Sequence, residues 1–225
     1  MVVTEIFRSI QGESSHAGRP CIFVRLTGCN LRCRWCDTVY AFHGGRRMTV
    51  EEVLEQVHAL ADGNESSVKL VELTGGEPLL QRDAVPLAER LVGEGFQVLI
   101  ETSGERFIGS LPQAVVKIVD VKCPDSGEAG KFLMSNLDVL DAKDEIKFVI
   151  ASRRDYEFAR DFAADHRLAE RAGEVIFSPV AADPAGAWEG LSPRSLAEWI
   201  LTDRLKVRLG LQIHKQIWDP AARGV

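Results

Sequence analysis

Seven short runs rich in Val, Ile, Leu and Phe constrain the fold of this chain more than any other feature. They are Cys21–Thr27, Val68–Leu73, Phe96–Ile100, Val115–Val121, Glu145–Ile150, Glu174–Phe177 and Val207–Leu211. Apolar runs of this length, bounded by Gly, Pro and small polar residues, read as strands. Stretches with helical spacing separate several of them. Thr49 and Glu52 form a capping box ahead of Val50, Val53, Leu54, Val57, Leu60 and Ala61, and Gly63-Asn64 ends that helix. Asp83 caps a second helix through Ala84, Leu87, Ala88, Leu91 and Val92, ended by Gly93 and Gly95. A third runs from Ser152 to about Leu168, and Ser192-Pro193 starts the last. Strand–helix alternation predicts an α/β fold with a parallel sheet and right-handed crossovers. Several crossovers are too short for a full helix, which predicts an incomplete TIM-like barrel. At 225 residues the chain suits one domain, 1–225. Thr4–Ser14 reads as a short apolar segment ending in a polar turn, so Cys21–Thr27 is expected to be the first core strand. Ala181–Gly190 reads as a mobile loop.

Polar and glycine-rich residues fall repeatedly just after these runs: the Gly28–Thr38 loop, Thr74–Pro78, Glu101–Gly104, Lys122–Pro124 and His214. In parallel α/β folds that edge binds ligands. The 28–38 loop carries Cys29, Cys33 and Cys36, three of the five cysteines. Thiolate is the soft ligand favoured by iron–sulfur clusters and by zinc. Three thiols suit a four-iron cluster with one open iron. A zinc site needs a fourth ligand, which His16, His43 or His214 could supply from afar, so both readings stand on spacing alone. The net charge of −6, with basic residues scattered in pairs, argues against a nucleic-acid surface. No apolar run approaches a membrane span, and the N-terminus lacks a signal-peptide layout. A reducing cytoplasm is the expected setting, where clustered cysteines bind metal rather than pair. Arg25, inside an apolar run, must reach water, a salt-bridge partner or an anionic ligand. Paired Gly75 and Gly76 would let backbone approach a ligand. Gln11, Glu13 and Thr38 read as turn residues, and His214 as a strand-end histidine.

The cysteine loop, with Trp35 between its last two thiols, resembles the cluster loop of radical S-adenosylmethionine (SAM) enzymes. Further segments narrow the resemblance. They are Ile10–Glu13, Gly18–Pro20, Phe23–Leu26, Gly28–Leu31, Cys33–Thr38, Thr74–Pro78, Glu101–Gly104, Asp120–Pro124, Gln212–Lys215 and Ile217-Trp218. Together they resemble the 7-carboxy-7-deazaguanine synthase family. The resemblance implies conversion of 6-carboxy-5,6,7,8-tetrahydropterin to 7-carboxy-7-deazaguanine with release of ammonia, SAM being regenerated. It implies a 4Fe-4S cluster on Cys29, Cys33 and Cys36, and magnesium on Thr38. Substrate would meet Ile10, Gln11, Gly12, Glu13, Arg25, Thr74, His214 and the terminal carboxylate of Val225, with 207–225 as a closing segment. SAM would meet Trp35, Cys36, Asp37, Gly76, Glu77, Ser103, Lys122, Cys123, Pro124, Ser178 and Pro179. Glu101 would move protons. Expected partners are a reducing electron donor such as flavodoxin and a second copy in a homodimer, with no nucleic acid or membrane. Two alternatives are a glycyl-radical-enzyme activase, sharing the cysteine loop, and a non-catalytic zinc module.

Overall fold

The computed structural model describes residues 1–61, 68–219 and 222–225. In chain order the elements are β1 (Val2–Ile10), β2 (Pro20–Leu26), β3 (Arg46–Arg47), α1 (Val50–Ala61), β4 (Leu70–Gly75), α2 (Ala84–Gly93), β5 (Gln97–Thr102) and β6 (Val116–Asp120). These are followed by β7 (Glu145–Ile150), α3 (Arg153–Asp165), α4 (Leu168–Arg171), β8 (Glu174–Pro179), α5 (Pro193–Thr202), β9 (Arg208–Leu209) and α6 (His214–Ile217). All strands join one sheet in the order β3-β1-β2-β4-β5-β6-β7-β8-β9. From β2 through β4 to β9 every neighbouring pair is parallel. The sheet does not close on itself, as expected of an incomplete barrel.

Cys21–Thr27 is not the first strand of the sheet. The opening segment is a nine-residue strand, antiparallel to β2 and β3. Its polar residues obscure the strand pattern, and its partner lies downstream: Phe7 stacks on Phe23 with ring centroids 5.1 Å apart. The capping box is present, with Thr49 N–H donating to Glu52 at 2.7 Å and Glu52 N–H to the Thr49 hydroxyl at 3.2 Å. Gly63-Asn64 lie outside the described residues. Asp83 stands at the N-cap of α2 without capping it, because its carboxylate accepts from the Met1 amine at 2.8 Å. Ala181–Gly190 is a hydrogen-bonded turn rather than a free loop: the Trp188 indole donates to the Ala181 carbonyl at 2.9 Å, and Asp183 N–H to the Trp188 carbonyl at 3.2 Å. Ser192-Pro193 opens α5, but one more short helix, α6, follows it.

Side chains alternate across a strand, so the sheet has two differently used faces. Val24, Leu73, Ile100, Val119 and Phe148 pack with the helical residues Val53, Leu54, Leu87 and Tyr156 in a large outer core. Each such fully buried side chain contributes about 1.5–3 kcal/mol. The inner face carries a smaller apolar floor of Cys21, Phe23, Leu70, Leu99, Val116 and Ile118, with Phe7 against it. The alternation continues toward the strands' C-terminal ends, where the same face presents Arg25, Glu72, Thr74, Glu101, Asp120 and Lys147. A charged layer therefore sits on an apolar floor.

Candidate active site

The cysteine loop is fixed at many points by backbone contacts to neighbouring strand ends. Gly28 N–H donates to the Ala41 carbonyl at 2.8 Å, and Glu77 N–H to the Gly28 carbonyl at 2.9 Å. Arg32 N–H donates to the Glu128 carboxylate at 2.5 Å, Arg34 N–H to the Ser126 carbonyl at 3.0 Å, and the Asn30 amide to Glu105. Leu31 is buried and plugs the loop into the fold.

The glycine pair after β4 serves this packing. A Cβ on Gly75, whose φ is +133°, would lie 2.1 Å from the Leu26 carbonyl oxygen. A Cβ on Gly76 would lie 2.1 Å from the Gly28 oxygen and 2.7 Å from Cys29 Cβ. The absence of a Cβ at both positions lets β2 and the cysteine loop pack directly against this turn. Glu77 is likewise an internal clamp. Its buried carboxylate accepts from Leu79 N–H (3.1 Å), the Thr102 hydroxyl (2.8 Å), and Ser103 N–H and hydroxyl (2.8 and 2.7 Å). It joins the ends of β4 and β5, and it occupies the Ser103 hydroxyl as well.

Burial raises all three loop thiols, Cys33 to about 11, while the Lys122 ammonium acts on each in the opposite sense. Lys122 itself is paired with Asp120 at 2.7 Å, and the second Asp120 oxygen is buried with no hydrogen-bond partner among the described residues. Among the described residues no group of three His, Cys, Asp or Glu side chains is drawn together tightly enough to hold one metal ion. The donor set still fits an iron–sulfur cluster: three half-buried thiols on one anchored loop, with a lysine offsetting the charge of their thiolate forms. Trp35 is half-buried in the same loop. The Cys123 thiol is buried in the outer core. Pro124 opens a short turn beside it, and Ser178 and Pro179 are buried at the end of β8.

Opposite the loop, the residues after β1 form a strap across the open sheet. Gln11 is buried, donating its amide to Glu72 and accepting from Glu13 N–H at 2.6 Å. Gly12 carbonyl accepts from Ile213 N–H at 3.0 Å. A Cβ on Gly12 would lie 2.0 Å from His214 Nδ1, so the histidine ring rests on a position only glycine can provide. Glu13 accepts from Lys147 at 2.7 Å and Gln212 at 2.8 Å. Burial opposes its ionisation, but Lys147 and His214 outweigh that and bring its pKa to about 2. Ser15 N–H reaches Glu145 at 3.1 Å. These residues are a brace between β1, β7 and the C-terminal segment rather than turn residues.

Arg25 donates through Nε to Glu5 at 2.7 Å, and the Tyr40 hydroxyl meets the same Glu5 oxygen at 2.8 Å. The salt bridge considered for Arg25 is thus real. It engages Nε, and among the described residues both terminal nitrogens remain for an anionic group. Thr74 is buried beside Arg25 in the sheet register, and Ile10 ends β1 opposite Pro20. The Thr38 hydroxyl donates to Asp37 at 3.0 Å, and Asp37 pairs with Lys215 at 2.8 Å. Burial raises the Asp37 carboxyl, yet Lys215 holds it well below the usual range. A hard hydroxyl beside a carboxylate suits magnesium. From the C-terminal segment Gln212 reaches Glu13, Lys215 reaches Asp37, and the Arg223 guanidinium lies 4.1 Å from the Tyr40 ring. Val225 itself is exposed.

Glu101 is bonded to Lys147, to which the sequence pattern assigns no role, as it assigns none to Glu5, Tyr40 and Glu72. Lys147 stands inside an apolar strand just as Arg25 does, and the argument applied to Arg25 would have found it.

The radical SAM superfamily model matches residues 23–161. The chain is 57% identical over its full length to a 7-carboxy-7-deazaguanine synthase of Koribacter versatilis, covering all of that protein. It is 42% identical to that of Chlorobaculum tepidum, over 99% of this chain and 96% of that one. The crystal structure of QueE from Escherichia coli shares the fold, with a TM-score of 0.71 at 23% identity over 94% of this chain and 93% of that one. With a sheet, cysteine loop and strap of this form, and full-length relatives at this identity, the chain belongs to the 7-carboxy-7-deazaguanine synthase family of radical SAM enzymes.

Proposed function

We propose that the charged layer takes 6-carboxy-5,6,7,8-tetrahydropterin and that the product is 7-carboxy-7-deazaguanine, with ammonia released and SAM regenerated. The observation that carries this reading is the convergence of Arg25, Thr74, Glu101, the Gln11–Glu13 strap and His214 on the inner face of the sheet whose strand ends carry the cysteine loop. When bound, the cluster and SAM supply the one-electron chemistry that starts the reaction. Cys29, Cys33 and Cys36 hold the cluster. Trp35, the Gly76 backbone, Lys122, Pro124, Ser178 and Pro179 form the SAM side, with Glu77 and Cys123 supporting it from within. The terminal nitrogens of Arg25 grip the substrate carboxylate as a fork. Thr38 offers magnesium one hard oxygen, with Asp37 beside it. Glu101 accepts and returns a proton. His214 and the strap cover the substrate and exclude water.

The remaining elements of the reading concern context. The chain acts as a single domain, in the cytoplasm, as a homodimer reduced by a carrier of the flavodoxin kind. Among the described residues no helix is long and apolar enough to cross a membrane.

The test is anaerobic reconstitution with iron and sulfide, then incubation with dithionite, SAM, magnesium and the carboxypterin, read by mass spectrometry. Formation of the deazaguanine without stoichiometric loss of SAM is the expected result. Cleavage of SAM with the pterin untouched would refute the substrate assignment.

A further inference from the structure

Lys147 is the most enclosed cation of the inner face: its side chain is 4% exposed, midway along β7. Its ammonium contacts Glu13 of the strap at 2.7 Å and Glu101 at the end of β5, with Asp120 of β6 at 3.9 Å. The groups facing Glu101 are therefore Glu13 from the strap, Glu72 from β4, Asp120 from β6 and Lys147 from β7. Three of the four are acidic. Lys122 is already paired with Asp120, and Arg25 with Glu5. Burial raises the Glu101 carboxyl and the neighbouring acids add to that effect, so Lys147 is what favours its ionised form. Glu72, which has a Gln11 amide instead of a cation, is pushed well up by burial and by Glu101 and Glu13. Lys147 and Arg25 act on Glu72 in the opposite sense, but neither pairs with it directly among the described residues, and burial prevails.

We propose that Lys147 is a positioning residue for the pterin reaction: its ammonium holds the Glu101 carboxylate in the place and charge state of a proton acceptor, and ties the strap over the same pocket. This rests on the substrate reading above. In the step concerned, a proton leaves the substrate for a Glu101 oxygen while its electron pair stays on the substrate. Glu101 becomes a neutral acid, still hydrogen-bonded to Lys147. It is reset when the leaving nitrogen takes the proton, together with the pair of the broken C–N bond.

The experiment compares wild type, Lys147→Met, Glu101→Gln and the double variant, each reconstituted anaerobically, in pH profiles of kcat/KM. Wild-type turnover of the carboxypterin establishes the substrate reading independently, and its absence would sink that reading rather than the role of Lys147. Given turnover, the acid limb of Lys147→Met is expected to move up by about one to three pH units, the effect of removing an adjacent opposite charge. kcat near neutrality should then fall at least about tenfold, a part of the roughly 10²–10⁴-fold that a positioned acid or base contributes. An acid limb that stays in place while only thermal stability falls would overturn the proposal. Should Lys147→Met fail to fold, the double variant, which leaves only the strap's Glu13 without its lysine, carries the test. A kcat equal to that of Glu101→Gln alone, with the lost strap contact appearing in KM, supports action through Glu101, whereas a further tenfold fall in kcat would refute it.

Discussion

Gly12→Ala tests how the site is closed. Gly12 has no positive φ, so alanine suits the backbone there and would by itself add about 0.4–1 kcal/mol by restricting the unfolded chain. The new methyl would nevertheless lie 2.0 Å from His214 Nδ1, 2.7 Å from Cγ and 2.9 Å from Cβ, where ordinary contact begins at 3.4 Å. The ring must retreat by more than an ångström. Because it is joined to Ile213, whose N–H donates to the Gly12 carbonyl at 3.0 Å, the retreat strains or breaks that bond as well. Overpacking of this kind costs about 1–3 kcal/mol, so it outweighs the backbone gain by about 1–2 kcal/mol. The C-terminal segment can lift without unfolding the sheet, so the strain should appear as a loss of closed form by a factor of about 5–30. KM for the carboxypterin should rise by a similar factor while the melting temperature changes little. Hydrogen exchange at the Ile213 amide should quicken, and a His214→Ala change in the same chain should relieve the steric part. Unchanged KM and unchanged exchange in Gly12→Ala would refute the packing argument.

Three further expectations follow from the geometry. Gly76→Ala should displace the cysteine loop, because the added methyl meets the Gly28 backbone oxygen at 2.1 Å. Iron loading on reconstitution should drop sharply, and full loading would refute the close-approach reading. Glu77→Ala strands one buried and three part-buried donors at the β4–β5 junction and should destabilise the protein by about 3 kcal/mol in urea unfolding. Weaker SAM binding with unaltered stability would instead make Glu77 a direct ligand. The lowered pKa of Glu13 also predicts acid sensitivity. A depressed carboxyl contributes stability that is fully present above its unfolded value of 4.5 and is lost as pH falls toward about 2. The shift corresponds to about 3 kcal/mol. Between pH 5 and pH 2 (about the two pKa values), wild type should lose more stability than Glu13→Gln, and parallel curves would contradict the Lys147–Glu13 pairing.

The legible parts of this protein were those written in local pattern. Apolar runs with glycine or small polar residues at their ends gave the seven parallel strands, and the Thr49–Glu52 box gave the start of α1. The Cys29–Cys36 spacing named a metal loop because its ligands are neighbours in sequence. Residues whose meaning depends on a distant partner were harder. β1 was obscure because its strand character comes from pairing with β2, and Asp83 changed role because Met1 takes its carboxylate. Glu77, Gly75 and Gly76 carried ligand-binding expectations, yet what they meet is the chain's own backbone and hydroxyls.

By itself the sequence determined the α/β class, the polar strand-end edge and the clustering of the three thiols, because backbone periodicity and residue spacing are local properties. Tertiary structure alone decided which charges meet. Glu13 and Lys147 are 134 positions apart, and Gly12 and His214 are comparably remote. Burial on a shared inner face makes such pairs strong, and neither partner carries a mark of the other in its own neighbourhood.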